Sequence, residues 1–218
     1  MAGAVEPEFR GARRRLVETL QDKGIRDLAV LRAIDQVPRH LFVPASVRHR
    51  AYEDSALPIG NGQTISQPFV HARAIEQLLL TGRERVLEIG TGSAYQTALL
   101  ASLAEQVFSI ERHPALLDRA RALLSQLQVR NVSVLMGDGT LGWREYGPYD
   151  AIVVSAGAPH VPPAFEEQLG EGGRLLIPLG SREEQMLTVV TKRGGALERR
   201  DITPVRFVPL IGAGGWPP

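Results

Sequence analysis

The stretch VLEIGTGSAYQ, residues 86–96, constrains this chain more than any other. Its apolar start reads as a short buried strand, Gly90 and Gly92 supply a tight turn, and SAYQTALLASLA reads as a helix. QVFSIE then reads as a second strand, which completes a strand–turn–helix–strand unit. A glycine turn of this kind lets a ligand approach the backbone beside the start of a helix. The alternation continues through PALLDRARALLSQL (helix, with Pro114 suited to its first position), VSVLMG and DAIVVSA (strands) and PPAFEEQL (short helix). GGRLLIPLG, QMLTVVTK, ALERRDI and VRFVPLI read as further strands. The pattern predicts an α/β fold: a doubly wound, mostly parallel, Rossmann-like sheet with a strand-rich C-terminal end.

Ahead of the glycine turn, Phe9, Ala12, Leu16 and Leu20 recur at helical spacing over 9–23, and Gly24 ends that helix. Asp27 suits the N-cap of a second helix, LAVLRAIDQV, which stops before Pro38. The long segment up to Pro68 is rich in Pro and Gly, yet Phe42, Val43, Tyr52, Leu57 and Ile59 give it apolar anchors. FVHARAIEQLLL reads as a helix opened by Pro68. A single domain over 1–218 is expected, with an N-terminal helical and loop extension (1–67), a cofactor-binding core (68–180) and C-terminal strands and tail (181–218).

Composition narrows the function classes. The 25 basic and 24 acidic residues leave a net charge of +1, so no basic nucleic-acid surface is indicated. The run Arg13-Arg14-Arg15 reads as a solvated helix face. The absence of cysteine excludes disulfides, thiolate catalysis and Cys-based zinc sites. None of His40, His49, His71, His113 and His160 falls in a metal-ligand pattern, so no metal is expected. The N-terminus lacks the apolar stretch of a signal peptide, and no run approaches the ~20 apolar residues of a membrane span. A cytoplasmic protein, with no membrane partner, is the expectation.

Two nucleotide classes compete for the glycine turn. A dinucleotide fingerprint needs a third glycine where this chain has Tyr95. Glu88, two residues before the first glycine, would repel a pyrophosphate and suits a ligand with a cationic ammonium, such as S-adenosylmethionine. Glu111, 21 residues after Gly90, can accept from both hydroxyls of a ribose. Asp138, in GDG at the end of the third strand, is placed to accept from an adenine amino group.

The motif E-x-G-x-G resembles the first motif of class I S-adenosylmethionine-dependent methyltransferases. With LFVP (41–44), GNGQTISQP (60–68), GDGTLGW (137–143), YDAIVVSAGAPHVP (149–162), GGRLLIPLG (172–180) and FVPLIG (207–212), the chain resembles the protein-L-isoaspartate O-methyltransferase family over roughly residues 10–211. The TIS-x-P loop is the specific part of that likeness. The resemblance implies a seven-stranded sheet and a repair reaction. A methyl group passes from S-adenosylmethionine, leaving S-adenosylhomocysteine, to the α-carboxylate of L-isoaspartyl residues in damaged proteins and peptides. It also implies no nucleic-acid partner, no metal and a monomer.

By the same likeness Ser66 is the active-site serine. Gln63, Thr64, Ile65, Ser66 and His71 cover the cofactor, and Glu88, Gly90, Gly92, Glu111, Arg112, Asp138 and Gly139 hold it on the sheet. Pro159, His160, Val161, Arg206 and Val208 lie where the family holds its peptide, although His160 reads equally well as a surface loop residue. The tail GAGGWPP departs from the longer polar tail of animal members, which puts a cofactor contact from the tail in question.

Chemistry restricts what Ser66 can do. A carboxylate is ionised near pH 7 and needs no general base. The serine then orients the acceptor rather than attacking. T-I-S-Q-P also lacks the G-x-S-x-G elbow of a hydrolase nucleophile. An N-cap ahead of Pro68 is the structural alternative for Ser66, and a plain helix residue the alternative for His71. The other functions weighed are a methyltransferase acting on a small molecule or nucleic acid, a non-catalytic nucleotide-binding module and an NAD-dependent dehydrogenase. Base-directed amino methylation usually shows N/D-P-P-Y/F after the fourth strand, where this chain reads SAGAP.

Overall fold

A computed structural model describes residues 7–217. Two helices open the fold, α1 (Pro7–Asp22) and α2 (Leu28–Gln36). Asp27 caps α2 as its position suggests: its side chain accepts from the backbone N–H groups of Ala29 and Val30. Two 3₁₀ turns follow, Arg39–Phe42 and Ala45–Arg50, and then an antiparallel hairpin, β1 (Leu57–Gly60) and β2 (Gln63–Ile65). The stretch that reads as a flexible polar loop is therefore a hairpin. Asn61 and Gly62 form its two-residue turn with φ of 52° and 68°, the doubly left-handed geometry that matches strand twist.

The alternating core runs α3 (Pro68–Leu78), β3 (Arg85–Ile89), α4 (Tyr95–Ala101), β4 (Gln106–Glu111), α5 (Pro114–Gln126), β5 (Val132–Met136) and β6 (Tyr149–Val154). It ends with α6 (Pro163–Gln168), β7 (Leu169–Gly180), β8 (Gln185–Arg193) and β9 (Ala196–Val205). The main sheet has seven strands in the order β5-β4-β3-β6-β7-β8-β9. The pairings from β5 to β7 are parallel, and β7–β8 and β8–β9 are antiparallel. The expected seven-stranded, mostly parallel sheet is thus present.

VRFVPLI is not a strand of its own. β9 ends at Val205, and the following residues make only isolated bridges, Gly157 to Pro209 and Ile211 to Trp216. Pro209 lacks the N–H that a ladder needs.

Both sheet faces are covered, so β3 and β6 read as apolar runs and their residues are almost wholly buried. One apolar cluster joins the N-terminal helices and hairpin to one face, and a second packs around Phe108, Tyr149, Ile152 and Phe165 on the other. The strand order switches sides between β3 and β6, the place where open α/β sheets form their crevice. The Arg13–Arg15 run is not uniformly solvated: Arg13 is buried and lies 3.8 Å from Asp35, because residue 13 shares the inward face with Leu16 and Leu20. Among the described residues no helix is long and apolar enough to cross a membrane.

Candidate active site

A cavity of about 490 Å³ opens at the C-terminal edge of β3, β4 and β6. Its floor is the glycine turn. Gly90 and Gly92 take φ of 93° and 54°, which side-chain-bearing residues resist. The Gly90 and Thr91 N–H groups donate to the Ile110 carbonyl, and Thr91 Oγ1 meets Ser109 Oγ at 2.6 Å. The turn is thereby tied to β4.

Glu111, ending β4, is held with equal care. One carboxylate oxygen accepts from Gly92 N at 2.8 Å; the other accepts from Arg112 N and His113 N. The side chain lines the cavity and retains lone pairs toward it. Arg112 and Gly139 also line it. A Cβ on Gly139 would stand 2.5 Å from Ile89 Cγ2, so the chain approaches the sheet there as only glycine allows.

Glu88 and Asp138 do not line the cavity, contrary to the contacts expected of them. Glu88 lies under the floor with no exposed surface, because an inward position on a central parallel strand faces the packed layer. Its oxygens accept from Ser109 Oγ (2.6 Å), Thr97 Oγ1 (2.5 Å) and Gln96 Nε2 (3.1 Å). Burial pushes its carboxyl up to about 7 against these donors. Asp138 turns to the chain instead. It accepts from Thr140 N, Thr140 Oγ1 and Ala213 N. Burial pushes its carboxyl up, and these hydrogen bonds outweigh that effect and hold it below the usual range.

The opposite wall is the hairpin. Ile59, Gln63, Thr64, Ile65 and Ser66 all line the cavity, as does His71 from α3. Ser66 is not the cap of α3: that position is Gln67, whose side chain makes no capping bond. The helix start is capped from a distance, by Asp54 accepting from Phe69 N at 2.8 Å. The Ser66 carbonyl instead accepts from Arg39 Nη2 at 2.8 Å. Arg39 is fully buried, donates also to the Ala51 carbonyl, and lies 4.8 Å from the centroid of the Tyr95 ring. Tyr95, standing where a dinucleotide fingerprint has its third glycine, is thus the seat of the arginine that holds the serine loop.

His71 is buried, with Nδ1 3.0 Å from Gln96 Oε1 and Nε2 without a hydrogen-bond partner. Burial, reinforced by the Arg39 charge, lowers it to about 3, so the ring is neutral near pH 7.

The third wall is the segment after β9. Val208, Pro209, Leu210 and Ile211 line the cavity. Trp216 folds back to hold them, donating from its backbone to Leu210 O at 2.7 Å and from its ring to Gly157 O at 3.1 Å. The short tail therefore acts on the cavity through Asp138, which Ala213 grips, and through Trp216. Nothing in GAGGWPP advertises those bonds in one dimension.

A second cavity, about 910 Å³, lies beside the first and is lined by Arg206, Phe207, Glu183, Glu184 and Gln185 among others. Thr64, Ser66, Ser155 and Val208 line both cavities. Arg206 and Val208, expected beside the peptide, both line this second cavity. Pro159, His160 and Val161 line neither cavity: the first two are exposed and Val161 is buried in the second apolar cluster. The bridge of Ala158 to Leu179 fixes this loop against β7.

The first cavity fits an adenosyl sulfonium compound. Glu111 suits ribose hydroxyls, Ile110, Leu116, Leu210 and Ile211 offer apolar surface to a flat base, and the end nearer Ser66 opens on the second cavity. No group of His, Asp or Glu able to hold a metal occurs among the described residues.

A family model for protein-L-isoaspartate(D-aspartate) O-methyltransferase matches residues 11–214. The chain belongs to that family. It is 50% identical over 210 residues to the protein-L-isoaspartate O-methyltransferase of Dictyoglomus thermophilum, covering 96% of each chain. It is 58% identical over 195 residues to protein-L-isoaspartate O-methyltransferase 1 of an Anaeromyxobacter species, covering 88% of this chain and 92% of the relative. Among solved structures, a protein-L-isoaspartate O-methyltransferase superposes with a TM-score of 0.84 at 31% identity, over 93% of this chain and 67% of the other. The Plasmodium falciparum homologue, solved in complex with S-adenosyl-L-homocysteine, superposes with a TM-score of 0.80 at 27% identity, over 91% of this chain and 98% of its own.

Proposed function

We propose that this chain methylates the free α-carboxylate of L-isoaspartyl residues in damaged proteins and peptides, with S-adenosylmethionine as donor and S-adenosylhomocysteine as product. The observation that carries this reading is the junction at Thr64, Ser66, Ser155 and Val208, where a cavity fit for the donor meets a wider groove fit for a peptide. Bound in the first cavity, the donor supplies an electrophilic methyl on a sulfonium. The acceptor carboxylate enters from the groove already ionised, so the chain supplies no base.

In this reading Glu111 holds the ribose, and the Gly90–Gly92 turn lets the donor lie against the backbone. Gln63, Thr64, Ile65 and Ser66 cover the donor from the hairpin side. Ser66 donates to the acceptor and fixes its line of approach, while Arg39 fixes Ser66 through its carbonyl. His71, neutral and buried, walls the cavity and orients Gln96 rather than moving a proton. Glu88 acts below the floor through Gln96, Ser109 and Thr97. Arg206 and Val208 border the peptide groove. We further read the protein as a single-domain monomer of the cytoplasm.

The test is label transfer from radiolabelled S-adenosylmethionine to paired peptides that differ only in carrying L-isoaspartate or normal aspartate. The expected result is a base-labile methyl ester on the isoaspartyl peptide alone. Folded protein that labels neither peptide, or labels both equally, overturns the reading.

A further inference from the structure

The junction of the two cavities carries a second hydroxyl. Ser155 follows β6 directly, its N–H donating to Ile89 O at 2.9 Å, and its side chain lines both cavities. It thus shares the junction with Ser66 and Thr64, but from a strand end of the main sheet rather than from the hairpin.

Its hydroxyl is also oriented. Gln96 Nε2 donates to Ser155 Oγ at 2.9 Å and to Glu88 Oε1 at 3.1 Å. The amide NH₂ has two hydrogens, and those two bonds occupy both. The Gln96 oxygen faces His71 Nδ1 at 3.0 Å, so the three neighbours together fix which way the amide points. Gln96 is itself buried, at 6% exposure. A serine hydroxyl has one hydrogen and two lone pairs. One Ser155 lone pair receives the amide hydrogen. Among the described residues no acceptor takes the Ser155 hydrogen. The group is left as a preset donor at the point where the cavities meet.

We propose that Ser155 is a second catalytic residue, donating a hydrogen bond to the acceptor carboxylate at the junction, with Gln96, Glu88 and His71 as its positioning chain. The inference rests on the methyltransferase reading above. A carboxylate has two oxygens, and only one attacks the methyl. A donor from the hairpin (Ser66) and a donor from the sheet (Ser155) together hold the carboxylate plane, which a single donor leaves free to rotate. The bond to Gln96 does not depend on Ser155 alone, since Glu88 and His71 hold the amide as well, so removing the hydroxyl leaves the scaffold in place.

The experiment uses the full chain with Ser155→Ala and Ser155→Thr. Steady-state kinetics on the isoaspartyl peptide are read together with calorimetric affinity for S-adenosylhomocysteine and the thermal midpoint. Ser155→Ala is expected to lower kcat about tenfold, with product affinity within about twofold and an unchanged midpoint; Ser155→Thr, which keeps the hydroxyl, is expected to recover most of the rate. An unchanged kcat in Ser155→Ala overturns the proposal. So does a rate loss explained by collapsed cofactor affinity, or one that Ser155→Thr shares in full, since neither needs a donor to the carboxylate. Wild-type protein that methylates the isoaspartyl peptide while Ser155→Ala is unimpaired sinks this inference alone. Wild-type protein that does not methylate it sinks the parent reading and this inference together.

Discussion

The two walls of the cofactor cavity are built on opposite principles. The sheet wall is local and buried. Residues 86–96 and 106–113 form its strands, glycine turn and carboxylate, and nearly every polar group there has a partner within the same unit. The hairpin wall is assembled from afar. Asn61 to Ser66 stand on a short two-stranded ribbon, which alone is marginal in water. It is held by Arg39 through the Ser66 carbonyl and by burial of Leu57, Ile59 and Ile65. One wall is local and buried; the other is less strongly anchored and stands across the cavity from it. Binding and chemistry are thereby separated onto elements of different stability.

The contrast can be broken first at the sheet. Leu87 is fully buried in β3, and Leu87→Ala is expected to cost about 2–5 kcal/mol in urea unfolding. A loss below 1 kcal/mol would contradict the view of this wall as the more strongly anchored one. Next comes the hairpin's chemical role. Ser66→Ala is expected to slow methyl transfer at saturating donor about a hundredfold, with calorimetric affinity for S-adenosylhomocysteine nearly unchanged. A collapse of affinity with intact turnover would move Ser66 from acceptor to cofactor.

The two buried titratable groups that Gln96 joins, His71 and Glu88, give a subtler test. His71 is lowered from 6.5 to about 3, so the unfolded chain binds more protons and this residue's stabilising contribution grows as pH rises through that window. Glu88 is raised from 4.5 to about 7, so the native state binds more protons and its contribution shrinks as pH rises from 4.5 to about 7. Between about pH 4.5 and 6.5 the two oppose each other. Thermal or urea unfolding across that range should show Glu88→Gln with a steeper rise of stability with pH than the parent, by up to about 1.4 kcal/mol per pH unit. His71→Asn should show the reverse tilt. Parallel profiles for all three proteins would mean the two groups do not titrate as their burial dictates. Smallest is the hairpin turn. Gly62→Ala, at φ of 68°, should cost about 1 kcal/mol, with any rate effect confined to steps that need the hairpin in place.

Much of the sheet wall was legible in one dimension because its signals are local. The apolar run, paired glycines and following helix of 86–101 sit next to each other in the chain, and Glu111 ends the very next strand. The same locality misled at Glu88 and Asp138. Their positions at strand ends marked them as site carboxylates, but whether a strand-end side chain faces the cavity depends on which groups surround it. Thr97 and Ser109 enclose Glu88, and Ala213 reaches Asp138 across 75 residues. Arg39, Gln96, Ser155, Leu210 and Ile211 carried no motif strong enough to single them out, although VLEIGTGSAYQ, YDAIVVSAGAPHVP and FVPLIG were all part of the family likeness.

The sequence by itself determined the alternating α/β order, the glycine turn, the Glu111 carboxylate and, through TIS-x-P, the family. Periodicity, glycine spacing and turn chemistry act over a few residues and survive in a linear reading. Only the tertiary structure decided which carboxylates line the cavity, that a buried arginine holds the serine loop, and that two cavities meet at Ser66 and Ser155. Those outcomes depend on desolvation and on hydrogen bonds between residues far apart in the chain, which have no form until the sheet, the hairpin and the C-terminal segment close around the same space.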